Sequence, residues 1–167
     1  LAQLRGISTA IHNLQEGLDL IHTADGGLSE IHDILMRQQE LCVRGANEAI
    51  QYTNPSANPN EINHSSTRTL FDELVSLDIE IYESVRRHRF NTKQLLFGFN
   101  NGQNLQAGPD NAEAQRIEVV IPDLSIMGTS VPPALPGTLT HSQFVSAFQN
   151  AMDQIKADIA TVSDARA

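Results

Sequence analysis

The stretch LIHTADGGLSEIHDIL (Leu20–Leu35) reads as helix on both sides of Asp25-Gly26-Gly27. Paired glycines usually end a helix or turn a corner, and His22 and His32 flank them. Either the chain turns here and gathers histidines into a site, or one helix runs through its own weakest point. The surrounding spacing decides between the two. Leu4, Ile11 and Leu18 form one row of a heptad pattern, and Ile7, Leu14, Ile21, Leu28, Leu35 and Cys42 form the other. Such a repeat marks a seam along a helix packed against other helices. Ile21 and Leu28 keep their phase across the glycines, which a turn would reset. The spacing therefore predicts one unbroken first helix within residues 1–50, from about Leu4 to Ala49. The first row continues as Asp25, His32 and Gln39, so the seam is expected to become wetter in its second half. Glycine in mid-helix costs roughly 1 kcal/mol against alanine. Gly26 and Gly27 are accordingly expected to form a packing surface that another helix or a neighbouring subunit approaches closely.

Composition points the same way. Of the 167 residues, 40% are hydrophobic but only 5% are aromatic, with no Trp. Aliphatic packing suits long helices better than an enzyme core around a pocket. The net charge of −9 argues against a nucleic-acid partner, which needs clustered Lys and Arg; Arg86, Arg87 and Arg89 form the one short basic cluster. No run approaches a membrane span, and no signal peptide is recognisable. Cys42, the single cysteine, rules out an intramolecular disulfide and a cysteine-based zinc site. The chain opens at Leu1 in what already reads as helix, and is expected to be a fragment.

Beyond the first helix, YTNPSANPN (Tyr52–Asn60) is a loop by composition, over residues 51–62. A second helix over 63–89 can be capped by any polar residue within Asn63–Ser66, with Leu70, Leu74, Leu77, Ile81 and Val85 as its apolar stripe. Residues 92–128 change period: FGFNNGQNLQAG carries turn chemistry, and RIEVVIPDL (Arg116–Leu124) is short and β-branched. Two or three strands in a hairpin-like arrangement are expected there. SVPPALPGT (Ser130–Thr138) is a stiff connector within 129–140. A last helix over 141–167 carries Val145, Phe148, Met152, Ile155, Ile159 and Val162. The predicted fold is mainly α: one elongated bundle of three long helices with a small β-hairpin element.

These segments, in this order, resemble bacterial flagellin, the filament subunit of the flagellum. Ile11–Ala49 is similar to the family's first core helix: TADGGLSEI matches its Thr-Ala-Glu-Gly-Ala-Leu-Asn-Glu pattern, and RQQELCVRGAN (Arg37–Asn47) its Arg-x-Arg-Glu-Leu-Ala-Val-Gln-x-Ala-Asn segment. LDIEIYESVRRHRFNTKQLL (Leu77–Leu96) resembles the Asn-Glu-Ile-Asp-Arg … Phe-Asn-Gly-x-x-Leu-Leu stretch. LQAGPDNAEAQRIEVVIPDLS (Leu105–Ser125) is similar to the hairpin segment, and FQNAMDQIKADIATVSDARA (Phe148–Ala167) to the returning C-terminal helix. The chain departs from the pattern at Gln39 (Arg in the family), Cys42 (Ala) and Thr92 (Gly). By this resemblance the chain is expected to be the rod-like core domain of a short flagellin, without the terminal helices of the filament's inner tube and with the Pro-rich connector in place of the outer variable domains.

The resemblance implies a structural protein, without enzymatic activity and without cofactors. It implies a homopolymer with other flagellin subunits when the termini are present, and a flagellar export chaperone as partner. It also implies a secreted protein that resides in the extracellular flagellum, with no nucleic-acid or membrane partner. Recognition by the vertebrate Toll-like receptor for flagellin is implied as well. By alignment, Arg37 and Leu41, one turn apart on one helix face, together with Glu73 form the receptor and subunit interface patch. Gln39 and Arg44 depart from the patch pattern. A hook-associated junction protein, which shares the helical core, is the nearest alternative. An adhesin-like helical module and a metal-dependent or hydrolytic enzyme are more distant ones.

The residues themselves offer little for chemistry. His12, His22 and His32 recur every ten residues, about 80° short of three turns, and so spiral around a helix. Zinc needs ligands converging at about 2 Å. Cys42 reads as a small core residue. The carboxylate pairs Asp72/Glu73 and Asp78/Glu80 read as a solvated helix face, since acid–base catalysis needs carboxylates facing across a cleft. Asn63-His64-Ser65 matches an N-glycosylation sequon by chance.

Overall fold

A computed structural model describes residues 2–47, 64–97, 102–128 and 141–166. The expected loop over 51–62 and the Pro-rich connector over 129–140 lie outside these. Among the described residues the fold is mainly α, with helices α1 (Ala2–Gly45), α2 (His64–Arg87) and α3 (His141–Arg166). Four short strands pair antiparallel in twos: β1 (Arg89–Phe90) with β2 (Lys93–Gln94), and β3 (Gln103–Gln106) with β4 (Arg116–Val119). The residues group into two compact units, Leu1–Ser29 with Val85–Ser125, and Glu30–Ser84 with Ile126–Ala167.

Helix α1 passes through Asp25-Gly26-Gly27 without a break. It ends at Gly45, short of Ala49, where the amide of Asn47 bonds to the carbonyl of Arg44 at 3.3 Å. That three-residue step tightens the last turn and uses one of the carbonyls a helix end leaves open.

The expected seam is half right. Leu4, Ile7, Ile11, Leu18 and Ile21 are exposed, Leu4 by 68% and Leu18 by 54%. Leu28, Leu35 and Cys42 of the second row are buried. The cause is what packs on each stretch: in the first unit the hairpin covers the small-residue face of α1, whereas in the second unit α2 and α3 cover a wider face that takes in Leu35 and Cys42. The row buried along the whole helix is Ala10, Gly17, Ala24, Ile31, Gln38 and Gly45. Its first half is made of small residues.

In the first unit, this small-residue face lies under the β3–β4 hairpin. Leu105 rests directly against Gly17, and Pro109 against Gly6. Asn13 Nδ2 donates to the Gln106 carbonyl at 3.5 Å. Leu95, Leu96, Val119, Ile121 and Leu124 complete that core. The strand expected over Arg116–Leu124 stops at Val119; Pro122 has no N–H to give to a ladder. Beyond it, the Leu124 amide bonds to the Leu96 carbonyl at 2.9 Å.

The β region begins at Arg89, before the expected 92. The turn that joins β1 to β2 holds Asn91 at φ 45° and Thr92 at φ 69°. Positive φ at both central residues is the type I′ hairpin pattern, which strongly favours Asn-Gly. Thr92, β-branched, carries a strain of about 1–2 kcal/mol there. Thr92→Gly is therefore expected to stabilise the protein by about 1 kcal/mol, read as a higher urea midpoint. An unchanged or lower midpoint would show that the turn is not strained.

In the second unit, Leu70, Leu74 and Ile81 of α2 are buried, as are Val145, Phe148, Ile155 and Val162 of α3. Phe71 and Phe148 meet edge to face, centroids 6.1 Å apart at 78°, a favoured aromatic geometry.

Candidate functional site: an exposed charged and apolar face on the second unit

Arg37 is exposed and clamped by carboxylates. Its Nε and Nη2 donate to Glu73 Oε1 at 3.1 and 2.7 Å, and its Nη1 to Glu40 Oε2 at 3.1 Å. These hydrogen bonds, Glu73 first and then Glu40, raise the guanidinium pKa further above its usual value. The group is thus a fixed cation whose orientation is set by two helices.

Arg37 and Glu73, read as patch members from alignment, are in direct contact. Leu41 is not part of the surface: it is 1% exposed. The i, i+4 step from Arg37 places it on the edge of the face that α1 buries, and hydrophobic packing draws it in. Gln39 is half-buried and Arg44 exposed. The exposed large apolar residues on this stretch of α1 are Met36 and Val43, the latter 58% exposed, on a flank about 100–120° round the helix from Arg37. Their spacing of one heptad, outside both rows read from the sequence, was the available signal. That spacing returns a residue to nearly the same side of a helix.

The two glycines part company. Gly27 is buried, and a Cβ built there would lie 2.7 Å from His88 Cγ and 2.9 Å from Leu96 Cδ1. Gly26 is exposed, with nothing within 4 Å of such a Cβ. Only Gly27 is a packing surface within the described chain. What approaches it are His88 and Leu96, on either side of the β1–β2 hairpin.

Asp78 corrects another reading. It is buried, and Gln38 Nε2 donates to its Oδ1 at 3.4 Å and to the Leu74 carbonyl at 3.4 Å. Asp78 lies one turn beyond Leu74, on the stripe that α2 buries, and polar groups there need partners. Gln38, itself 1% exposed, is where polarity enters the seam, rather than at Gln39.

His12 lies 3.5 Å from Glu16, and His22 is exposed. Among the described residues, no three His, Cys, Asp or Glu side chains gather as metal ligands. Burial pushes the Cys42 thiol up to about 12, far from the thiolate a nucleophile needs. No described helix is long and apolar enough to cross a membrane.

These features define a class: a mainly α protein whose distinctive surfaces are helix faces fit for contact with other macromolecules. No protein-family model matches the sequence. It is 33% identical over 156 residues to a flagellin of Halalkalibacterium halodurans, covering 93% of this chain and 52% of that protein. It is 36% identical over 96 residues to the flagellin of Bacillus subtilis, covering 58% and 28%. The crystal structure of Bacillus cereus flagellin matches with a TM-score of 0.57 at 20% identity, over 90% of this chain and 80% of that one. The chain belongs to the flagellin family. It spans about half the length of the Halalkalibacterium relative, and flagellins are structural proteins rather than enzymes.

Proposed function

We propose that the chain is a structural subunit of the bacterial flagellar filament. Its relationship to flagellins along 93% of its length carries this reading. The exposed row Leu4, Ile7, Ile11, Leu18 and Ile21 supports it, because an apolar helix face of that regularity suits burial against another helix. Export through the flagellar secretion channel, with a chaperone holding the chain before assembly, belongs to the same reading. The test joins the chain to the segments of the Halalkalibacterium flagellin that lie outside the match, followed by electron microscopy. Long filaments are expected. Monomers alone, or short stacks of a few subunits as a hook-junction adaptor would make, would overturn the filament reading.

Recognition by the vertebrate Toll-like receptor for flagellin is proposed at the face around Arg37. Support comes from alignment and from the exposed, fixed Arg37–Glu73 pair. Arginine is enriched among interface hot spots. Leu41 contributes from beneath, by packing. Arg37→Ala is expected to weaken receptor binding about fivefold or more, with the helix content intact by circular dichroism. Binding within about twofold of the parent chain would remove Arg37 from the interface.

A further inference from the structure

His32 and Met36 stand one turn apart on α1, and no other His and Met of the chain are three or four residues from each other. His32 is half-buried. Its Nδ1 is shielded from solvent and meets no hydrogen-bond partner among the described residues, although buried polar atoms are nearly always paired. Met36 is 44% exposed, whereas Met127 is 3% exposed and Met152 is half-buried.

Helix geometry relates the two side chains. Residues four apart start with their Cβ atoms about 5–6 Å from each other, and long side chains on a helix lean toward its N-terminus. The Met36 thioether therefore leans back over the turn that carries His32. A thioether has no proton to donate, so it leaves an imidazole lone pair unsatisfied. It can, however, share a metal ion with that nitrogen. The ligand pair also selects the ion. Thioether sulfur is soft and favours copper(I), whereas zinc usually takes four ligands and calcium six or more oxygens. Among the described residues no group of three His, Cys, Asp or Glu gathers here for a harder ion. The Glu40 carboxylate, one turn beyond Met36, accepts instead from Arg37 at 3.1 Å.

We propose that His32 and Met36 bind one soft monovalent cation, copper(I), between the His32 Nδ1 and the Met36 Sδ. The ion supplies the partner that Nδ1 lacks and ties two successive turns of α1 together. Both ligands come from one helix of one chain, so the site needs no neighbouring subunit.

The test is titration of the whole chain with silver(I) nitrate, a redox-inert stand-in for copper(I), in chloride-free buffer. Carbon–proton NMR follows the methionine methyls and the histidine ring protons. Cys42→Ala serves as the background, because a thiol also takes soft ions. One ion per chain is expected, with the Met36 methyl and the His32 ring signals moving together while Met127 and Met152 stay in place. Met36→Leu and His32→Gln should each weaken binding about tenfold or more, since losing one of two ligands costs at least as much as losing an outer-shell partner. Should His32→Gln lower the helix content, the exposed Met36→Leu decides alone. Copper(I) held reduced by ascorbate should displace the silver, and zinc(II) should leave the Met36 methyl unmoved.

Any of four results would overturn the inference. They are a Met36 methyl that silver does not move, binding by Met36→Leu equal to that of its parent, copper(I) that fails to displace silver, and zinc(II) that moves both signals as silver does. Silver bound by the parent chain but lost with Cys42→Ala alone would assign the ion to the thiol, and equally overturns it. The filament reading stands or falls separately, on electron microscopy.

Discussion

Phe148→Ala is expected to destabilise the protein by about 3–5 kcal/mol, the range for removing a buried aromatic ring. Phe148 is 0% exposed and lies where α1, α2 and α3 of the second unit meet. Its ring packs edge-on to Phe71. On its other side it presses on Gly45, where an added Cβ would lie 2.5 Å from ring atoms Cε1 and Cζ. Truncation therefore loses the burial of the ring, the aromatic pair, and the fit to a backbone with no side chain. Structure around such a cavity relaxes only in part. The check is urea unfolding followed by circular dichroism, with a large fall in midpoint expected. A loss below about 1 kcal/mol would show that the three helices do not depend on this ring.

Gly26→Ala and Gly27→Ala are expected to act in opposite directions, although they are adjacent in one helix. At Gly26 the new methyl meets open space, so the substitution gains the helix preference of alanine, about 1 kcal/mol. At Gly27 the same gain is opposed by a collision with His88 and Leu96. The nearest atom is the base of the imidazole ring, Cγ, rather than a mobile tip, so either the ring or the helix must shift. Overpacking of this kind costs about 1–3 kcal/mol, which leaves a net loss of up to about 2 kcal/mol. Both variants are compared by thermal unfolding. Equal shifts of the same sign would mean that the close approach at Gly27 is not a real constraint.

The difference between the two glycines also shows where sequence reading runs out. The heptad phase across Ile21 and Leu28 is enough to carry a helix through both. It contains nothing about which of the two faces inward, because phase specifies a relative angle and not an absolute direction. The same holds for the two rows of large aliphatics. Their regularity announces a seam, yet in the first unit the face in contact is the small-residue one, where the β3–β4 hairpin comes close to the α1 backbone. Large side chains would hold that hairpin away.

On the face around Arg37, alignment picked out Arg37 and Glu73, and the structure joins them. Burial of Leu41 and exposure of Met36 and Val43 depended on which flank of α1 packs in the second unit. A fragment of helical sequence does not state that. Gln38 and Asp78 were hidden for a related reason. A polar residue at a core position looks like a surface residue until its partner, on another helix, is known.

By itself, then, the sequence determined the helices, the continuity of α1 through its glycines and the kinship to flagellins. These are carried by local periodicity and by motifs in order along the chain. The tertiary structure alone decided which helix faces are covered, that Gly27 and not Gly26 is a contact, and that Asp78 is paired inside. Those outcomes depend on what packs against each helix, and periodicity within one segment holds no information about its neighbours.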